Sequence, residues 1–439
     1  MKKLTVRSYS LRKQATTSSG DKTVNSSSSA LKWRVLIGYF LSYMFDAVDI
    51  IILAIAMPSI TASLQIGPTQ AGLLVTATLL GIGLSGVVMG PVADALGRRK
   101  ALLLSLASFG LLTMAIAAAT DWRQILVLRF LAGLGLGSVW STAAAHVNET
   151  WPAHQRGRAT SFVLSSFSVG AALAATAAAY VLPAHGWRVL FFVCGAAVLI
   201  AIAYVWLRVP ESQAWLEQRR QRGGHGLATA GASGAAAPGL AALFAPDLLR
   251  VTVLGTLTSA LALAAYWGAS TWLPTFLVKE RGLDVGTMAR FMALLNVGMF
   301  VGYNAFGLIA DRIGKQRAVI LSLVGTGLAL PLYIQATDHT VLLWLGPAFA
   351  FFMAFAGLMG SYFAELFPTQ LRATGTGFCF NVGRGISAFA PLALGSLSAS
   401  LGFAMGIALC GGLFLVAAVV VALLPRDGAV AVTTALPAR

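Results

Sequence analysis

The chain has 439 residues, of which 57% are hydrophobic and only 10% charged, against roughly a quarter charged in an ordinary soluble domain. That balance excludes a large water-soluble protein, whose helices would need polar faces; stretches such as "VLFFVCGAAVLIAIAYVWL", Val189 to Leu207, have none. The formal charge of +16 does not point to nucleic acid, because most of the Lys and Arg fall in the two tails and in alternate loops between apolar runs, the pattern of basic loops flanking membrane spans.

In chain order, residues 1–33 are basic and Ser/Thr-rich without an apolar run, so they form no secretory signal and are expected to be a disordered cytoplasmic tail. Residues 34–207 hold six apolar runs, each near the roughly 20 residues that a bilayer core of about 30 Å requires. Residues 208–249 form a cytoplasmic linker whose "QRGGHGLATAGASGAAAPG" is flexible and of low complexity. Six further runs occupy 250–424, and 425–439 is a second cytoplasmic tail. The expected fold is an all-α membrane protein with twelve transmembrane helices in two six-helix halves. The basic tails and even-numbered loops place both termini in the cytoplasm. Lys279, Arg281 and Arg290 break that rule by falling near the predicted outer connection between helices 7 and 8, where capture of anionic substrates is a possible use. Cys194, Cys379 and Cys410 lie within apolar spans and form neither a disulfide framework nor a metal site.

The halves repeat each other. "GPVADALGRRK" from Gly90 returns as "GLIADRIGKQR" from Gly307, an offset of 217 residues, and "ETWPAHQRGRAT" from Glu149 returns as "ELFPTQLRATGT" from Glu365, an offset of 216. Two unrelated motifs at nearly one offset mark a parallel duplication. The G-x-x-x-D-x-x-G-[RK] loops, the E-x-x-P-x-x-x-R loops and "PESQAWL" (Pro210 to Leu216) together resemble the major facilitator superfamily over nearly the whole chain. The resemblance implies a substrate site near the membrane midplane between the halves and rocker-switch alternating access.

Asp94 and Asp311 lie at the cytoplasmic starts of helices 3 and 9, where a carboxylate favours the positive end of the helix dipole. With Arg98, Arg312, Glu149, Arg156, Glu365 and Arg372 they are the expected gating set, pairing across the interface to latch the outward-open state. Ala95 stands where the family usually has an arginine, which leaves the first latch weaker than the one containing Arg312. Each arginine alone also fits a plain topology-determining loop.

Of the 15 acidic residues, only Asp46 and Asp49 lie deep in a predicted span. Buried charges in a membrane are costly and usually face a cavity on a substrate or proton pathway. At i, i+3 the two share one helix face, and neighbouring carboxylates resist double ionisation, as a reversible proton carrier requires. The sequence leaves open which of them titrates, and whether one is neutralised by an intramembrane arginine and serves only assembly. "FDAVDIIILAIAMPSI" also resembles the first-helix signature of the aromatic acid:H+ symporters, with both aspartates matched and Ala47-Val48 replacing the usual Gly-Phe.

Two arginines lie inside spans. Arg384 follows Asn381 in "RATGTGFCFNVGR", a helix-11 style shared with related organic-acid carriers, and a guanidinium is the natural bidentate partner of a carboxylate. The resemblance implies that Arg384 handles an acidic substrate; the alternative is a permanent ion pair with Asp46 or Asp49. Arg129, opening "RFLAGLGLG", could bind the anion, gate proton transfer or pair with an acidic neighbour. Tyr266, Trp267 and Trp272 could stack on a flat ring, and Asn296 and Asn304 could bond its substituents, although Trp and Tyr also gather at membrane interfaces. His146, near the cytoplasmic end of helix 4, reads as a packing or loop contact.

These features lead to a proton-coupled importer of an organic acid, such as an aromatic acid, a muconate or a muconolactone, in the bacterial inner membrane. The expected partners are substrate, protons and lipid, without nucleic acid or cofactor, and the expected working unit is a monomer. A short-chain monocarboxylate or sialate symporter and a sugar:H+ symporter are the alternatives. A drug exporter lacks its helix-5 G-P-x-x-G-G motif here, a sensor lacks an appended signalling domain, and no nucleophile, metal or cofactor constellation marks an enzyme.

Overall fold

The computed structural model describes the backbone of residues 5–152, 156–213, 215–217, 220, 240–368 and 371–425; the side chains before residue 31 and at 86–91, 93–94, 140–141, 144–145, 148, 156–158, 160–161 and 372–373 lie outside the description. In hydrocarbon a backbone must satisfy its own N–H and C=O groups, which a helix does within one segment. The described chain accordingly folds into α1 (Thr5–Leu64), α2 (Pro68–Leu96), α3 (Arg98–Ile116), α4 (Trp122–Thr150) and α5 (Arg156–Arg208), then α6 (Pro246–Lys279), α7 (Val285–Ile313), α8 (Lys315–Gln335), α9 (His339–Phe351), α10 (Phe355–Leu366), α11 (Arg372–Ser387) and α12 (Ala390–Ala422).

Elements and membrane crossings are not one to one. α5 and α12 reverse at Gly186 (φ 75°) and Gly402 (φ 80°), left-handed conformations that glycine adopts freely and that cost other residues roughly 1 kcal/mol or more. A turn at residues 352–354 joins α9 and α10 into one crossing, and α11 continues into the first part of α12. Among the described residues nine segments are long and apolar enough to cross a membrane, and two of them, Phe162–Arg208 and Thr374–Ala422, hold two crossings each. α4, 29 residues long, supplies the last, which makes twelve. α1 differs from expectation at its start: the apolar span begins at Leu31, but the backbone is helical from Thr5. Extending a nucleated helix gains one hydrogen bond per residue fixed, so the span can carry its helix back into a tail whose composition alone reads as disordered.

The bundle exposes what a soluble protein would bury. Leu207 is 73% exposed, Val419 62% and Leu111 61%, forming a sheath suited to lipid, whereas buried Ser and Thr hydroxyls donate mostly to carbonyls of their own helices, as Ser42 to Gly38 O and Thr78 to Leu74 O do. In the first half α1 packs on α5 and α2 on α4; in the second α6 packs on α12 and α7 on α9.

The halves meet through α1 with α6, α5 with α7, and α2 with α12, most tightly at the end of the bundle away from the basic loops. A Cβ on Gly72 would lie 2.6 Å from Pro391 O, and one on Gly395 2.5 Å from Pro68 O. Trp272, buried beside them, donates its indole N–H to Pro391 O at 2.9 Å, so it is a packing residue here rather than a stacking surface.

At the basic end the ion pairs stay within each half. Arg98 Nε lies 3.6 Å from Glu149 Oε1, Glu149 accepts from Ser212 Oγ, and Glu211 Oε1 accepts from Arg99 N at 3.0 Å, docking the PES segment onto the start of α3. The second half repeats the first pair as Lys315 with Glu365, at the positions the sequence offsets assign. Among the described residues these contacts each lie within one half. Asp311 and Arg312 are exposed. The side chains of Asp94, Arg156 and Arg372 lie outside the described residues.

Candidate functional site

Asp46 and Asp49, one turn apart on α1, are 4% and 2% exposed, yet their surroundings differ. Asp49 points into the first half. Its Oδ2 accepts from Arg129 Nη1 at 3.0 Å, its carbonyl from Arg129 Nη2 at 3.2 Å, and its Oδ1 from Thr113 Oγ1. Arg129, wholly buried, also donates through Nε to Thr78 Oγ1 at 3.1 Å. The cluster thus ties α1, α2, α3 and α4 together with both carboxylate oxygens occupied, and of the three roles open to Arg129 the geometry shows the pairing with an acidic neighbour.

Asp46 has no such partner. Its Oδ1 is buried without a hydrogen bond, and among the described residues it makes no ion pair. The charge bearing most strongly on it is that of Arg384 on α11, across the interface between the halves. Arg384 is half-buried, and among the described residues its guanidinium donates to no protein acceptor; Tyr43, one turn before Asp46, is the other near group. A carboxylate and a guanidinium on opposite sides of the interface, neither in a closed ion pair among the described residues, are groups that could take a proton and an anion respectively. Asn381, one turn before Arg384, is exposed.

Beyond this centre, toward the closed end, Tyr266 packs edge-on against Trp267 (5.0 Å between ring centroids) and Phe355 (6.3 Å). It lies near Tyr43, Tyr303 and Ser270. Asn296 lines a cavity here with Tyr266. Asn304 is exposed, its amide turned back onto Phe300 O at 2.8 Å. Sequence reasoning had not singled out Thr78, Thr113, Tyr43 or Tyr303; a hydroxyl one turn from an intramembrane charge, as Tyr43 is from Asp46, was the available signal. His146 is fully buried, with Nδ1 3.1 Å from Tyr39 Oη, a packing contact between α1 and α4.

In the basic loop after α6, Arg281 has a structural use. Arg281 donates Nε to Ala336 O at 2.8 Å and Nη2 to Ile334 O, satisfying the end of α8, while Glu280 accepts from Phe403 N and Ala404 N, capping the segment after Gly402.

A bundle of twelve crossings in two repeated halves, with Asp46 and Arg384 on opposite sides of their interface, has the architecture of a membrane carrier. The sequence model described as Major Facilitator Superfamily matches residues 35–386, and the chain belongs to that superfamily; it is a transporter and not an enzyme. It is 29% identical to a cis,cis-muconate transport protein of Acinetobacter baylyi, covering 90% of this chain and 95% of that one. To a gallate transporter of Pseudomonas putida it is 28% identical, covering 87% and 89%. The crystal structure of a D-xylose-proton symporter superposes with a TM-score of 0.74 at 17% identity, covering 91% of this chain and 99% of that one.

Proposed function

We propose that the protein imports an organic acid, aromatic or a product of aromatic ring cleavage, across the bacterial inner membrane together with a proton. The observation that carries this reading is the asymmetry of the aspartates: Asp49 is paired with Arg129, whereas Asp46 is buried, makes no ion pair among the described residues and leaves its Oδ1 without a hydrogen bond, with Arg384 the basic group acting on it most strongly. Asp46 is the proton carrier and Arg384 the carboxylate site. With Asp46 protonated, the positive field of Arg384 is free to hold the substrate anion. Loss of the proton to the cytoplasm restores the Asp46 charge, which competes for Arg384 and releases the acid. Proton and substrate each favour the other's binding, as linkage demands. The relatives named for muconate and gallate support the acid class. A basic end turned to the cytoplasm makes the present arrangement inward-facing. One proton with a monoanion moves no net charge, so the pH gradient alone would drive uptake, and each further proton would add about 2.3 kcal/mol per 100 mV.

The test is uptake of labelled hydroxybenzoate, muconate, lactate and a hexose under an imposed inward proton gradient, with a protonophore control. Acid accumulation in wild type that the protonophore collapses, and that Asp46→Asn abolishes while sparing exchange across the membrane, is the expected result. Accumulation of the hexose alone, or full accumulation by Asp46→Asn, overturns the reading.

A further inference from the structure

The end of the first half opposite its basic loops carries a feature that transport of an acid does not use. Between the turn that follows α3 and the first two turns of α4 lies an open groove of about 580 Å³. Ala118, Ala119, Val127 and Leu128 wall it, and Arg123 and Gln124 stand at its mouth. That volume is roughly twenty times a water's share of the liquid, room for a glycerophosphate head and the start of an acyl chain. The apolar wall does not stop at the groove: exposed Val127, Leu131 and Leu111 carry it into the lipid-facing sheath of the bundle. The mouth, by contrast, is positive. Arg123 is exposed, and among the described residues its guanidinium takes part in no ion pair and no hydrogen bond; the Trp122 ring lies 5.9 Å from it. Arg188 brings a second guanidinium to the same corner, donating Nη2 to Ala119 O at 3.2 Å. Asp121 offsets one of the two charges, its Oδ1 accepting from Arg123 N at 3.3 Å. Gln124 Oε1 accepts from Thr120 N at 2.9 Å, which leaves the NH2 group of that amide to donate elsewhere.

We propose that this groove seats an anionic phospholipid of the outer leaflet, with its phosphodiester held by Arg123 and Gln124 and one acyl chain lying along Val127 toward Leu131. The two ends of the groove together ask for an amphiphile. A soluble anion would use the mouth and leave the apolar channel to water, and an uncharged apolar ligand would leave the guanidinium without a counter-charge. Guanidinium groups bind phosphate oxygens through paired hydrogen bonds. A corner with one net positive charge at the membrane surface favours an anionic headgroup over a zwitterionic one. Trp122 and Trp187, the rings beside the two arginines, are residues suited to the headgroup level.

The experiment is native mass spectrometry of the detergent-solubilised full chain, titrated with an equal mixture of dioleoylphosphatidylglycerol and dioleoylphosphatidylcholine. It compares wild type with Arg123→Ala, with Ala118→Phe, which fills the channel but keeps the guanidinium, and with Arg290→Ala, which removes an exposed basic residue elsewhere at the same end. Wild type should retain its first phosphatidylglycerol over phosphatidylcholine by about fivefold or more. Arg123→Ala should remove that preference, Ala118→Phe should lower retention of phosphatidylglycerol by a similar factor, and Arg290→Ala should behave as wild type. Arg123 and Ala118 are both exposed, so neither change asks the bundle to repack, and the wild-type comparison needs no variant at all. Equal retention of the two lipids by wild type, retention unchanged in either groove variant, or an equal drop in Arg290→Ala overturns the proposal. Displacement of the lipid by millimolar inorganic phosphate also overturns it, because it would mark a site for free anions. None of these results bears on which solute is carried.

Discussion

Two aspartates one turn apart have different fates because a helix turns its side chains by about 100° per residue, so i and i+3 share a face only to within some 60°. That angle aims Asp49 at α3 and α4 and Asp46 at the seam between the halves. The Asp49–Arg129 pair is fully buried and hydrogen-bonded, and breaking such a pair from one side costs roughly 3–5 kcal/mol because the remaining charge is stranded. Asp49→Leu should therefore lower the thermal stability of the detergent-solubilised protein strongly, as should Arg129→Leu. The double variant should recover much of the loss. If the single variants melt like wild type, the pair is not a structural tie. Asp46→Asn, which strands no cation in a closed pair, should leave the melting point nearly unchanged while abolishing proton-driven accumulation.

Among the elements, the start of α3 shows how a loop motif becomes a joint. Gly97 has φ 101°, and a Cβ there would lie 2.4 Å from Glu211 Oε2; the same carboxylate accepts from Arg99 N. Gly97→Ala should cost about 1–3 kcal/mol through backbone strain, plus the displacement of Glu211. In a Glu211→Ala background the cost should shrink to the strain alone, as a double-mutant cycle of melting temperatures would reveal. At the opposite end, outside the spans, Asp338 caps α9: the backbone N–H groups of Val341 and Thr340 hold its carboxyl below the usual carboxylate range. A depressed value means that the cap's contribution is fully present above the ordinary carboxylate pKa of about 3.9 and is lost as pH falls through the lower folded value. Asp338→Ala should thus be less stable than wild type at pH 7, and the difference should vanish on strong acidification. A difference that persists in acid would assign the effect to something other than the charged cap.

At the scale of the whole molecule, closure at one end is built from backbone contact between Gly72 and Pro391 and between Gly395 and Pro68, where no side chain has room. Gly72→Leu should wedge these ends apart and bias the protein toward the opposite state. A membrane-impermeant maleimide added from outside should then label a cysteine placed at half-buried Leu392, whose Cα lies against Gly72, faster in the Gly72→Leu background than without it; equal rates would mean that this contact does not set the equilibrium.

Much of this was legible in the sequence. Apolar runs of bilayer length fix the helices, because hydrocarbon leaves a backbone no other partner, and the paired offsets near 217 fix the two halves and even predict that Lys315 and Glu365 repeat Arg98 and Glu149. The presence of charge at the midplane was also readable, since Asp46, Asp49, Arg129 and Arg384 interrupt otherwise apolar spans. What only the tertiary structure decided is the pairing. Which carboxylate meets which arginine depends on how helices distant in sequence are rotated against one another, and that is set by side-chain packing between them rather than by any local pattern. The same rotation separates a satisfied ion pair inside one half from an unsatisfied charge between the halves.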